Sequence, residues 1–306
     1  MEYIRPVATQ VAVMFILMLI GYLCAKAKWI TDEGRKQFSN VVMKLVIPAL
    51  IFMAYQKEFS YELVTGLLWT FVLSFISYVI TIPMTLILVR KNEKREFAIE
   101  RFSLIFTNCA FMGVPLIEAL FGSDGVLYVT AYITLFNLLT WTYGVMMIKN
   151  EVSFKSLIGS FKSPAIIAIF LGLICYFTQL KVPVIIAKPL KFIADMNTPL
   201  AMITAGATMA GTNLLKALKN PRILLLCFYR LLLLPIVCGF VFKLFGAPEA
   251  AYTTSVVAAA CPTAAILVML SVTHNKNDIY AAELVSVTTL FSLISLPFVL
   301  FIVNLF

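Results

Sequence analysis

Long apolar runs dominate the chain. Ten stand out, over residues 7–25, 38–55, 63–89, 102–121, 125–148, 164–180, 193–210, 222–245, 250–272 and 279–304. Each is near the ~20 residues that a helix needs to cross a hydrocarbon core roughly 30 Å thick. None keeps the two-residue alternation of a membrane strand, and lipid tolerates only helices or closed barrels. The pattern predicts an all-α polytopic membrane protein with ten transmembrane helices. No small-residue cleavage site follows the first run, so it reads as a retained helix rather than a leader.

Prolines mark the runs internally, because a proline distorts a helix wherever it falls. Pro48 and Pro199 lie 151 residues apart, Pro83 and Pro235 152, and Pro115 and Pro262 147. Gly21 with Gly172, and Leu135-Phe136 with Leu290-Phe291, keep nearly the same shift. These landmarks predict two five-helix halves, 1–148 and 164–306, joined by a cytoplasmic connection at 149–163. Because five is odd, the second half enters the membrane from the opposite side, giving the inverted repeat known from transporters. A chance fit of one offset to common membrane prolines is the competing reading.

Composition removes other classes. Apolar residues make up 61% of the chain and charged residues 13%, against about half and a quarter in soluble domains. The net charge of +9 forms no stripe interleaved with aromatics, so no nucleic-acid partner is expected. With the N-terminus outside, 16 of the 24 Lys and Arg residues fall in inner loops and 6 outside. By the positive-inside rule both termini face outward from the cytoplasmic membrane. Lys181, Lys188 and Lys191, in the predicted 181–192 connection, run against that rule. Six cysteines lie in or beside apolar runs with no C-x-x-C pair, so neither a disulfide framework, a metal centre nor a cofactor is expected.

The fourth run of each half is unusual. One reads Thr107-Asn108-Cys109-Ala110-Phe111-Met112-Gly113-Val114-Pro115, the other Ala258-Ala259-Ala260-Cys261-Pro262-Thr263-Ala264-Ala265. Proline frees a carbonyl, and glycine or alanine admits a neighbouring backbone, so both helices are predicted to break near the midplane. Broken helices at matching positions of two halves point to a substrate site. Asn108, Gly113, Pro115, Pro262 and Thr263 form the candidate site, joined by Asn137 in the fifth run. A structural reading, in which the amides and hydroxyls only bond neighbouring backbone, stands beside it.

Lys44 and Arg230 are the intramembrane cations, set in from the ends of their runs, and such residues are functional candidates by default. Arg230 is expected either to attract an anionic substrate or to bridge Glu283 on the tenth helix. Glu118, Asp195 and Glu283 sit near helix ends, and the crossing holds no acid. Coupling to protons or sodium is therefore left open, and a uniporter fits equally well. His274 is the one histidine and no G-x-S-x-G is present, so no enzyme is expected. The alternatives to a carrier are a ligand sensor or channel on the same fold and, more remotely, an intramembrane enzyme.

The stretch Asn108 to Leu116, NCAFMGVPL, resembles the fourth-helix motif of the auxin efflux carrier family, and Ala260-Cys-Pro-Thr-Ala-Ala its ninth-helix counterpart. Ala110 stands where a glycine is usual. The resemblance covers the whole chain. It implies an inverted-repeat fold similar to the bile-acid and sodium/proton antiporter architecture, with helices 4 and 9 crossing at the site. It also implies a scaffold from 7–55 and 164–210, a mobile transport part from 63–148 and 222–304, and a homodimer through the scaffold. Bacterial relatives carry organic anions such as malate or malonate and the plant carriers export auxin, so the resemblance implies a small carboxylate as substrate and Asn108 as one of its contacts.

Overall fold

A computed structural model describes residues 4–91, 96–149 and 163–305. Of the predicted 149–163 connection, only the two end residues lie within these. The described helices of eight residues or more are α1 (Ile4–Lys26), α2 (Asp32–Ala54), α3 (Tyr61–Leu88), α4 (Phe97–Ile105), α5 (Cys109–Lys149), α6 (Pro164–Thr178), α7 (Val184–Asp195), α8 (Asn197–Ala210), α9 (Pro221–Lys243), α10 (Glu249–Ala260), α11 (Ile266–Thr273) and α12 (Asp278–Asn304). Six of them, α1, α2, α3, α5, α9 and α12, are long and apolar enough to cross a membrane. The chain is an all-α polytopic membrane protein.

Three prolines reshape the helices ahead of them. A proline cannot donate to the carbonyl four residues back and its ring presses on that carbonyl, so the preceding turn opens. Wide π-turns at Val42–Val46, Cys109–Gly113 and Tyr229–Leu233 each stand just before Pro48, Pro115 and Pro235. Such turns re-aim side chains. They carry Lys44 and Arg230, the intramembrane cations. A fourth wide turn, Thr140–Gly144, has no proline behind it and carries Trp141.

Burial along α3 shows how the chain meets lipid. Ser74, Ser77, Thr81 and Thr85 are buried, whereas Leu68, Phe75, Val79 and Ile87 are exposed. Small hydroxyl residues thus face the protein and large apolar ones the acyl chains, as expected where packing rather than water exclusion holds helices together. The tightest helix pair is α1 with α8. A Cβ added at Gly206 would overlap the Met18 carbonyl oxygen, and one at Gly21 the Ile203 carbonyl oxygen. Gly206→Leu is therefore expected to cost about 3 kcal/mol or more, the upper end for overpacking. Thermal unfolding of the purified variant checks this, and an unchanged midpoint would show that the two backbones are not locked together.

Several predicted boundaries change. The 181–192 connection is helical from Val184, because Val184, Ile185, Ile186 and Phe192 continue the apolar pattern around the lysines. Lys188 and Lys191 thus sit on a helix, which is interrupted at Met196 and resumes as α8. The second helix begins at Asp32 rather than 38, where the Thr31 side chain accepts the Gly34 N–H at 3.1 Å. The gap between the runs predicted at 102–121 and 125–148 shrinks to one non-helical residue, Gly122, with φ 58° and ψ −147°. That residue divides α5 into two helices.

Candidate functional site

Both fourth runs are interrupted. Helix α4 stops at Ile105 and the chain runs extended through Phe106 until α5 begins at Cys109; α10 stops at Ala260 and α11 begins at Ile266. The freed backbone groups pair with each other. The Asn108 amide donates to the Pro262 carbonyl at 2.7 Å and the Ala264 amide to the Phe106 carbonyl at 2.9 Å. Thr107 and Thr263 thereby form an antiparallel bridge. Inside a membrane protein an unpaired backbone group is costly, so each interruption supplies what the other lacks. The Thr263 hydroxyl donates to the Ser103 carbonyl at 3.0 Å, and its amide donates to the Thr288 hydroxyl at 3.3 Å. A Cβ at Gly113 would meet the Cys261 sulfur at 3.2 Å, so this glycine lets the two broken helices approach.

Arg230 lies behind the crossing, 1% exposed. Its Nε donates to the Cys261 carbonyl at 3.1 Å, Nη1 to Leu104 at 2.9 Å, and Nη2 to Ala259 at 2.6 Å and Cys261 at 2.8 Å. These carbonyls are the C-terminal ends of α4 and α10. Arg230 makes no ion pair with Glu283 among the described residues: the expected bridge is replaced by backbone carbonyls, which the wide turn at Tyr229–Leu233 brings within reach.

In front of the crossing is a cavity of about 500 Å³. Its polar lining includes Asn108, Asn137, Lys44, Ser39 and Asn40, and its apolar lining includes Ile47, Phe111, Ile133, Phe136, Trp141, Ile266 and Met269. No aspartate or glutamate lines it among the described residues. Asn108 is 6% exposed and its side-chain amide bonds no other described residue. Asn137 donates through Nδ2 to the Ile133 carbonyl at 2.9 Å, which leaves its oxygen directed elsewhere. The second halves of both broken helices begin at this cavity, at Ala110–Phe111 and Ala264–Ile266. The first amides of a helix have no partner within it and carry partial positive charge. The cavity therefore combines amide donors, helix amino ends and one ammonium, a set suited to an anion.

Of the sequence-predicted residues, Asn108 and Asn137 line the cavity, whereas Gly113, Pro115, Pro262 and Thr263 frame the crossing and Arg230 stands behind it. Lys44 faces the cavity from α2 and makes no ion pair among the described residues. Sequence reasoning passed over Glu100, which is buried and accepts bonds from Arg222 Nε at 3.0 Å, Arg222 Nη2 at 2.5 Å and the Tyr280 hydroxyl at 3.1 Å. That cluster ties α4, α9 and α12 together. Its only trace in the sequence is two charges at run ends, which read as solvated. His274 lies outside the spans, its imidazole held below the usual value by partial burial and by Lys149 and Lys276.

At the far end of α2 the surfaces are closed. The Tyr55 and Thr130 hydroxyls hydrogen-bond at 2.6 Å, and Lys57 pairs with Asp124. These contacts join the 7–55 segment to α5 beyond the cavity.

A family described as membrane transport protein matches residues 6–153 and 150–300. An uncharacterized transporter from Methanothermobacter thermautotrophicus is 22% identical over 291 residues, covering 93% of this chain and 94% of the relative. An uncharacterized transporter from Methanocaldococcus jannaschii is 22% identical over 302 residues, with 93% and 94% covered. With two successive matches that together cover nearly the whole chain, and with the broken fourth run that carries the auxin efflux carrier motif, the chain belongs to the membrane transport protein family of auxin efflux carriers.

Proposed function

We propose that this transporter is a secondary carrier moving a small organic anion, a carboxylate, across the cytoplasmic membrane by alternating access. The observation that carries the reading is the cavity at the crossing, where Asn108, Asn137 and Lys44 converge among apolar walls and no described acid joins them. A carboxylate gains charge-assisted hydrogen bonds there, while a cation meets only positive ends. The sequence expectation that Arg230 contacts the substrate is replaced by Lys44, since four of the five guanidinium N–H bonds are already used.

In this reading ten crossings form two inverted five-helix halves, with both termini outside. Three observations support it: the common shift of the prolines, the two successive family matches meeting at 150–153, and the antiparallel bridge between Thr107 and Thr263. A two-fold axis in the membrane plane pairs equivalent segments in that antiparallel sense. Segments 7–55 and 164–210 act as scaffold, and 63–148 with 222–304 move as an elevator. Exposed Phe170, Ile174, Ile185 and Phe192 on α6 and α7 are the scaffold face assigned to a homodimer contact.

Counterflow in proteoliposomes tests the function. Vesicles preloaded with one unlabelled carboxylate are expected to accumulate the labelled form transiently above equilibrium. Mono- and dicarboxylates are tried in turn, chosen by thermal stabilisation of the purified protein, because a ligand bound only by the folded state raises its midpoint. Flux without counterflow would indicate a channel, and ligand stabilisation without flux a sensor.

A further inference from the structure

Arg230 is a fully buried guanidinium with no carboxylate beside it among the described residues. Its titratable neighbours are Tyr132, Tyr78, Cys238 and Cys261, none of which carries charge opposite to its own at neutral pH. Its partners are backbone carbonyls at the ends of α4 and α10. Each helix carboxyl end holds roughly half a negative charge, and each amino end roughly half a positive one. At this crossing two carboxyl ends and two amino ends meet within a few residues, so their fields would largely cancel in the cavity. The guanidinium changes that balance: it neutralises the two carboxyl ends and leaves the amino ends, with Asn108 between them, as the dominant field.

We infer that Arg230 is a positioning residue that sets the sign of the crossing's field, making the cavity selective for anions without touching the substrate. The inference rests on the carrier reading for its biological meaning, but the field itself is measurable without any substrate. Arginine suits this task better than lysine, because a planar fork reaches carbonyls on two separate chains whereas an ammonium is a point donor. A membrane-buried charge is costly, and the two carboxyl ends, together roughly one negative charge, supply its neutralisation.

Trp141 lines the cavity and reports on the field there. With Trp29 and Trp69 replaced by phenylalanine, its fluorescence is quenched in turn by iodide, caesium and neutral acrylamide at constant ionic strength. The ratio of iodide to caesium quenching, each normalised to acrylamide, is expected to fall at least threefold in Arg230→Gln, which keeps amide donors and removes the charge. Arg230→Ala should show the same fall, and millimolar guanidinium, but not choline, should restore the ratio by refilling the carbonyl cage. Arg230→Lys, which keeps the charge, should stay near the parent ratio. A parent-like ratio in folded Arg230→Gln would overturn the inference, as would a fall in Arg230→Gln shared equally by Arg230→Lys. If Arg230→Ala and Arg230→Gln fail to fold, guanidinium added during purification is the second measurement: folding recovered by guanidinium alone, with the ratio restored, supports the inference, and no recovery overturns it. Failure of the carrier reading would show instead as absent counterflow in the unmodified protein, with the quenching ratios still shifting.

Discussion

Lys44→Glu is expected to abolish saturable carboxylate uptake while leaving the melting temperature of the protein unchanged. Among the described residues, Lys44 is the one formally charged side chain lining the cavity, and it holds no ion pair. Removing it therefore exposes no orphaned partner. Two unit charges 4 Å apart interact by about 1 kcal/mol in water and about 4 kcal/mol near a protein surface. Because Lys44 is exposed, the lower part of that range applies. Lys44→Gln should raise KM by roughly tenfold, about 1.4 kcal/mol, and reversal to glutamate by roughly a hundredfold or more, with Lys44→Arg close to the parent. Initial uptake rates over a concentration series measure this. A parent-like KM in Lys44→Glu would remove Lys44 from the substrate path.

Asn108→Ala should lose uptake with little loss of stability. The crossing is held by the backbone amide of Asn108, which alanine retains, and not by its side chain, which bonds no other described residue. Hydrogen bonds to a charged group contribute about 1.5–3 kcal/mol, so carboxylate affinity should fall roughly ten- to a hundredfold. Asn108→Asp should be worse still, since it places a carboxylate against an anion. Substrate-induced thermal stabilisation and uptake are read on the same preparation. If melting temperature and uptake fell together, Asn108 would be acting as structural glue between helices.

The second interruption was legible because proline acts locally: Pro262 lies inside the break at Cys261–Ala264. Pro115 stands seven residues beyond Asn108 and accounts for the wide turn at Cys109–Gly113, whereas the break at Phe106–Asn108 is set by its pairing with the other interruption. Arg230 was legible as an unusual residue and illegible as a brace, since its partners are carbonyls of Leu104, Ala259 and Cys261, and every residue type has a carbonyl. Lys44 was legible as a candidate but not as a residue of the cavity, because the π-turn before Pro48 decides where it points. The wide turns at Val42–Val46 and Tyr229–Leu233 could have been anticipated from a cation four or five residues before a membrane proline. The start of α7 was misplaced because three lysines were weighed as loop charges, although Val184 to Ile186 and Phe192 keep the apolar pattern between them.

The pairing of Asn108 with Pro262 also has a consequence for biogenesis. The amide of Asn108 and the carbonyl of Phe106 find their partners only in a segment that the ribosome makes some 150 residues later. At about 5–20 residues per second that delay is roughly 8 to 30 seconds. Throughout it the nascent first half carries backbone groups that lipid cannot satisfy, each costing several kcal/mol. The first half must therefore shelter that stretch within the insertion machinery, or hold it as an unbroken helix, until the later segment arrives. Ribosome stalling between Asn108 and Pro262 would leave a chain whose break has no counterpart, and membrane proteases that recognise unpaired backbone would meet it there.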